Sequence, residues 1–212
     1  MSPQLLRADP GENWLPVAAA HLRAGKIVAI PTETVYGLAA SAFSREGIEG
    51  LFVLKARSEM KPLPIQVDSM RTALAAGFLF PGRILALAER FWPGPLTLVV
   101  PRPASIPSWY APESGKVALR IPAHTVTLAL LREMGAPLAV TSANLSGETP
   151  LTEASAIVAA FQSAMELLVL DDGPSPRGRA STVVDVTEER PALVREGPIP
   201  LSWVLEVWDG QW

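Results

Sequence analysis

The feature that most constrains this chain is an alternation of two periodicities. Short apolar runs occupy residues 27–30, 63–67, 96–100, 117–121, 138–140, 167–170, 182–186 and 193–196. Between most of them lie segments whose apolar side chains recur at helical spacing: 16–24, 44–56, 69–76, 83–91, 125–134, 152–161 and 201–207. An amphipathic helix must lay its apolar stripe on a partner, and a run that is apolar on both faces must be covered on both. The alternation therefore predicts a layered α/β fold, a twisted mixed β-sheet flanked by helices. The sheet is expected to be mixed because no helix separates the last three runs. Gly25 ends the first helix, and Ser44 and Thr152 are expected to cap two others. Residues 101–116 form a long loop, a length usually associated with function or mobility.

Composition narrows the function classes. A chain of 212 residues that is 49% hydrophobic is expected to form one domain with a sizeable core. There is no run of about 18 apolar residues to span a membrane, and residues 1–15 carry Arg7, Asp9 and Glu12 in place of a signal-peptide core. With no cysteine, the chain has no disulfide and no thiolate nucleophile, which fits a cytoplasmic location. Only His21 and His124 are present; His21 falls on an expected surface helix and His124 opens another, and neither is placed as a general base. Net charge of −3 argues against bulk attraction to nucleic acid. However, Lys55, Arg57, Lys61, Lys116, Arg120, Arg177, Arg179 and Arg195 all sit in or beside polar motifs. If they converge, an acidic protein contains a locally basic cavity.

Two polar clusters follow apolar elements directly. Lys55-Ala56-Arg57 follows the helix bearing Ile48, Leu51, Phe52 and Leu54, and Thr141-Ser142-Ala143-Asn144 follows the run 137–140. Buried elements fix the side chains at their ends, and fixed cations and hydroxyls suit an anionic substrate. Each cluster alone also reads as a helix C-terminus that favours cations or as an ordinary Ser/Asn turn. The Gly- and Arg-rich segment 172–179 reads either as an anion-binding loop or lid, or as an exposed turn; it lacks the Gly-Lys-Ser/Thr ending of a phosphate-binding P-loop. Glu33 reads as a carboxylate that orients a lysine or a substrate's ammonium, or as a solvated turn residue. Tyr36 is either a cavity wall with a polar tip or a core aromatic. Trp92 and Trp109 read as stacking faces for a planar ring, although Trp92, beside Pro-Gly-Pro, reads better as a packing anchor.

Seven segments, PTETVYGLAA (31–40), KARSEMKPLPIQV (55–67), WPGPLTLVV (92–100), KVALRIPAH (116–124), PLAVTSANLSG (137–147), STVVDV (181–186) and VREGPIP (194–200), follow in the order of the YrdC/TsaC family of L-threonylcarbamoyladenylate synthases. The chain closely resembles that family over residues 15–200. The resemblance implies a YrdC-like, double-stranded-RNA-binding-domain-like fold in a short single-domain form. It implies formation of threonylcarbamoyl-AMP and pyrophosphate from L-threonine, bicarbonate and ATP, with Mg²⁺ carried by the nucleotide. The product would pass to a tRNA threonylcarbamoyl-transferase complex that modifies adenosine 37. By resemblance, the K-x-R and S-x-N signature is Lys55, Arg57, Ser142 and Asn144. Threonine contacts map to Thr34, Gln66, Arg120, Thr141 and Ser181. Nucleotide contacts map to Arg57, Lys61, Lys116, Ser142, Asn144 and Arg195. On charge alone, Lys55, Arg57 and Arg195 are expected to steady the triphosphate. Two positions depart from the family pattern: Ser58 stands where Pro is usual, and Gln66 where many members carry His. The alternative readings are a paralogue that binds nucleotide or double-stranded RNA without this activity, and an accessory domain of the kind found in larger hydrogenase-maturation carbamoyltransferases.

Overall fold

The computed structural model describes residues 3–56, 63–110 and 115–212. Among these, ten strands form one mixed sheet in the order β1-β8-β2-β3-β7-β4-β6-β5-β9-β10. The strands are β1 (Gln4–Arg7), β2 (Val28–Ile30), β3 (Gly37–Ser41), β4 (Ile65–Gln66), β5 (Leu96–Pro101), β6 (Lys116–Arg120), β7 (Leu138–Ser142), β8 (Leu168–Asp171), β9 (Thr182–Asp185) and β10 (Ala192–Arg195). The helices are α1 (Trp14–Arg23), α2 (Arg45–Leu54), α3 (Met70–Ala75), α4 (Arg83–Phe91), α5 (Thr125–Met134), α6 (Ala154–Ala160) and α7 (Leu201–Trp208). β1–β8, β8–β2, β4–β6 and β5–β9 pair in parallel and the other five neighbours antiparallel, so the sheet is mixed as expected.

The period of two along each strand divides the interior into two layers. Ala29, Leu38, Ala40, Ile65, Leu98, Leu119, Ala139, Val169 and Val184 face one layer, where α2, α4, α6 and α7 contribute Leu51, Leu87, Ile157 and Val204. Val28, Ile30, Ala39, Leu138, Val140, Leu168 and Leu170 face the other, against Leu22 of α1 and Leu130 of α5. Each large side chain buried here contributes about 1.5–3 kcal/mol. The second layer covers only the β8-β2-β3-β7 half of its face. Among the described residues, no helix covers the β4-β6-β5-β9-β10 half of that same face, and the cavity described below lies on it.

Several expectations need correction. β1 and β3 were not expected: β1 is a short strand at the sheet edge, and β3 is built almost wholly of small residues. Ser44 does cap α2, accepting from the Gly47 amide at 3.0 Å. Thr152 caps nothing, because α6 begins after Glu153 with no side-chain cap. The first part of the long loop is anchored: Ile106 and Tyr110 are buried, and the Tyr110 hydroxyl donates to the Leu63 carbonyl at 2.9 Å. Among the described residues, no helix is long and apolar enough to cross a membrane.

Candidate functional site

A cavity of about 680 Å³ opens on the uncovered half-sheet, within the usual range for small-molecule sites. Its floor follows from strand alternation. On β5, Leu96, Leu98 and Val100 enter the core while Thr97 and Val99 face the cavity; on β6, Val117 and Leu119 are core while Lys116, Ala118 and Arg120 face it; on β9, Val184 is core while Val183 and Asp185 face it. The walls come from the segment 32–37, from Lys55 after α2, and from the end of β7 with the turn after it.

Of the residues mapped by resemblance, Thr34, Lys55, Gln66, Lys116, Arg120, Thr141, Ser142, Asn144, Ser181 and Arg195 all line this one cavity. Arg57, Lys61 and Ser58 lie outside the described residues. Arg177 and Arg179 do not join the cavity: both are exposed, and Arg179 pairs with Glu196 at 3.4 Å. The lining still holds four described cations, Lys55, Lys116, Arg120 and Arg195, against the single carboxylate of Asp185.

The cations differ in their surroundings. Lys55, buried at the C-cap of α2, donates to the main-chain oxygens of Ser142 and Asn144 at 2.5 and 2.7 Å and to Asn144 Oδ1 at 3.3 Å. The chain leaves α2 through Ala56 at φ +50°, a left-handed turn. Asn144 in turn donates Nδ2 to the carbonyls of Leu145 and Glu148 at 2.7 and 3.0 Å. The K-x-R and S-x-N segments thus hold one another through Lys55 and Asn144. Lys116 bridges Asp185 at 3.2 Å and Glu188 at 3.3 Å, and these partners, Asp185 first, hold its ammonium above the ordinary lysine range.

Arg120 ends β6 beside Gln66, its register partner on β4. Its Nε donates to the Gly94 carbonyl at 3.0 Å, and Nη1 and Nη2 reach Thr34 Oγ1 at 3.2 and 3.1 Å. Glu33 Oε1 lies 2.7 Å from Nη2, and both side chains are buried. Burial pushes the guanidinium below its ordinary value, and Glu33 opposes that shift. Glu33 is therefore neither a solvated turn residue nor a partner of lysine; it is the counter-ion of Arg120. Arg195, at the cavity rim, donates Nε and Nη2 to the Ser181 carbonyl at 3.1 and 2.9 Å and Nη2 to Ser181 Oγ at 3.0 Å. Partial burial and then the charge of Arg120 push it downward. Two arginines that disfavour one another across a cavity favour an anion between them.

Gln66 is buried, and its Oε1 has no hydrogen-bond partner among the described residues. An unpartnered amide oxygen in a cavity wall is an acceptor awaiting a donor. Thr97 was missed in the sequence, although it is the one hydroxyl in an otherwise apolar strand; its Oγ1 lies 2.8 Å from Ser181 Oγ. Tyr36 serves in both of its expected capacities. Its ring is fully buried and lines the cavity, while its hydroxyl donates to the Gly173 carbonyl at 2.8 Å. The 172–179 segment is not a phosphate loop, since none of its residues lines the cavity. It is strapped to the wall from behind: the Arg177 amide donates to the Glu33 carbonyl at 3.2 Å and the Ser175 amide to the Thr152 carbonyl at 2.8 Å. Trp92 is a packing anchor, buried, with Nε1 donating to the Leu96 carbonyl at 2.7 Å; Trp109 packs against the same core, and neither lines the cavity.

A half-covered mixed sheet with cations, hydroxyls and one carboxylate on its bare face defines an α/β protein whose cavity is chemically suited to small anions. The chain belongs to the Sua5/YciO/YrdC family, whose model, described as "Telomere recombination", matches residues 20–197. It is 39% identical over 197 residues to the threonylcarbamoyl-AMP synthase of Pyrococcus abyssi, an alignment covering 92% of this chain and 58% of that protein. It is 36% identical over 202 residues to the putative threonylcarbamoyl-AMP synthase of Mycobacterium leprae, covering 94% of this chain and 91% of that one. The crystal structure of P. abyssi Sua5 complexed with L-threonine superposes with a TM-score of 0.88 at 37% identity, covering 98% of this chain and 61% of the solved chain. The chain thus spans about three-fifths of the length of these P. abyssi proteins.

Proposed function

We propose that this protein is a threonylcarbamoyl-AMP synthase, an adenylyl-transferring enzyme that makes threonylcarbamoyl-AMP and pyrophosphate from L-threonine, bicarbonate and ATP. The observation that carries the reading is the convergence of the residues mapped by resemblance, wherever they are described, on one cation-lined cavity. The names of the similar synthases and the threonine complex of P. abyssi Sua5 support it.

In this reading, Arg120, Thr34, Gln66, Thr141 and Ser181 take the amino acid. The fork of Arg120 meets a carboxylate, and the Gln66 oxygen accepts from an N–H or O–H. Lys116, Ser142, Asn144 and Arg195 take the nucleotide, with Arg57 and Lys61 added by the resemblance. Threonine's neutral amine attacks the carbon of bicarbonate; a C–N bond forms, a C–O bond breaks, and water leaves to give a carbamate. One carbamate oxygen then attacks the α-phosphorus, and the bond to the β-phosphate oxygen breaks as pyrophosphate leaves. The nucleophile is already anionic, so the step needs no protein base; it needs alignment and compensation of charge. Lys55 contributes its charge and fixes the wall, with its protons held by Ser142 and Asn144. Mg²⁺ brought with the triphosphate would supply further charge compensation beside Lys116 and Arg195. The only carboxylate among the described lining residues, Asp185, already accepts from Thr187 and Lys116, which fits a metal brought by the substrate. The product would go on, in the cytoplasm, to a tRNA-modifying partner.

Incubation with ATP, Mg²⁺, bicarbonate and L-threonine, followed by mass spectrometry, tests the proposal. Threonylcarbamoyl-AMP is the expected product. ATP binding without this product would instead support a nucleotide- or RNA-binding paralogue.

A further inference from the structure

Thr32 and Thr34 line the cavity, but Glu33 between them does not. The bend at residues 33–35 turns its carboxylate out of the cavity lining and onto Arg120. Glu33 is only 6% exposed. Apart from the contact to Arg120 Nη2, neither of its oxygens accepts a hydrogen bond from a described residue. A buried carboxylate so poorly solvated is costly, and an apolar side chain of its size would pack more favourably. Among the described residues, the other titratable groups nearby do not replace Arg120 as counter-ion. His124 has an unpartnered Nδ1, lies 3.7 Å from Asp172 through Nε2, and is held below the ordinary imidazole value by burial, so it is neutral at neutral pH. Arg177 is exposed and approaches Glu33 through its main-chain amide. The guanidinium of Arg120 is thus pinned by three groups: Gly94 on Nε, Glu33 on Nη2, and Thr34 across Nη1 and Nη2. Of the three, the Thr34 hydroxyl is the one that lines the cavity.

We infer that Glu33 is a positioning residue for amino-acid recognition. By fixing Arg120 from behind, it presents the fork at Thr34 to the carboxylate of the substrate amino acid. It therefore sets affinity for the amino acid and leaves that for the nucleotide alone. The inference rests on the assignment of the Arg120 end of the cavity to threonine.

The test is calorimetric titration of the full chain with L-threonine and, separately, with a non-hydrolysable ATP analogue, for the parent, Glu33→Gln and Glu33→Asp. Glu33→Gln is expected to weaken threonine binding about tenfold or more while changing nucleotide binding less than about twofold, because one partner of a buried ion pair is lost. Threonine affinity within about twofold of the parent overturns the inference, as does an equal loss for both ligands, which is the mark of general structural damage. A parent that binds nucleotide but not threonine overturns it by a separate route, removing the amino-acid assignment itself. Should Glu33→Gln not fold, Glu33→Asp keeps the charge and shortens the reach; it is expected to lose about threefold in threonine affinity alone, and unchanged threonine affinity again overturns the inference.

Discussion

Lys55 Nζ lies 2.5 Å from the main-chain oxygen of Ser142 and 2.7 Å from that of Asn144, joining the end of α2 to the end of β7 across the cavity wall. An ammonium has three protons, and Asn144 Oδ1 at 3.3 Å accepts a third bond. A lysine held in this way is part of the wall before any substrate arrives. It contributes positive charge to the cavity, but its main task is to fix where the hydroxyl and amide groups of residues 141–144 stand.

Lys55→Met is therefore expected to destabilise the ligand-free protein. The buried carbonyl and amide oxygens of Asn144 and the half-buried carbonyl of Ser142 lose their donor, at a cost of roughly 2–4 kcal/mol. For a chain of this size, that lowers Tm by about 5–12 °C. Differential scanning calorimetry without ligands checks this. An unchanged Tm with lost activity would make Lys55 purely a phosphate ligand.

Tyr36 ties the 172–179 segment to the cavity wall through its hydroxyl, which donates to Gly173 and accepts weakly from the Asp172 amide at 3.4 Å. Burial, the main cause, pushes this phenol up to about 12, so it stays protonated at any working pH. Tyr36→Phe keeps the ring and removes the tie. It is expected to cost about 1 kcal/mol and to speed amide exchange at Gly173 and Arg177, while leaving ligand affinities nearly unchanged. Exchange rates equal to the parent's would show that the strap stands without Tyr36.

His124 gives the ligand-free protein a pH dependence of defined sign. Burial depresses its folded-state value below the ordinary 6.5, so the unfolded chain takes up the proton first as pH falls. Stability is then unaffected by this group above about pH 6.5 and declines as pH drops from there toward the folded-state value. Tm is expected to fall more steeply between about pH 7 and pH 5.5 in the parent than in His124→Gln. Parallel curves would show that His124 is not held neutral.

Much of this structure was legible in the sequence. Alternating apolar runs and helical segments located eight strands and all seven α-helices among the described residues, because burial on both faces leaves continuous apolar runs in the inner strands; the short 3-10 turn Ser108–Tyr110 lies in the segment read as loop, and β10 is apolar although exposed. β3 escaped notice because Gly37, Ala39 and Ala40 carry so little side chain. A Cβ on Gly37 would stand 2.5 Å from Val140 Cγ1, so the neighbouring strand itself demands glycine. β1 is specified by its pairing with β8, far along the chain, more than by its own pattern. Motif order placed the polar residues at strand ends, where the described ones do converge. The pairings among them were not legible. Glu33 with Arg120 and Lys55 with Asn144 are contacts between distant segments, and each side chain alone read equally well as a surface group. For the same reason the arginines of 172–179 read as anion ligands: sequence gives their charge but not the direction in which the strap turns them.

The most direct test of the account is pyrophosphate release from ATP and bicarbonate, with and without L-threonine and with L-serine as control, in the parent and in Arg120→Ala. The expected release requires threonine, is poorer with serine, and is lost when Arg120 is removed while nucleotide binding persists. Release that ignores threonine, or that survives in Arg120→Ala with unchanged dependence on threonine, would contradict it.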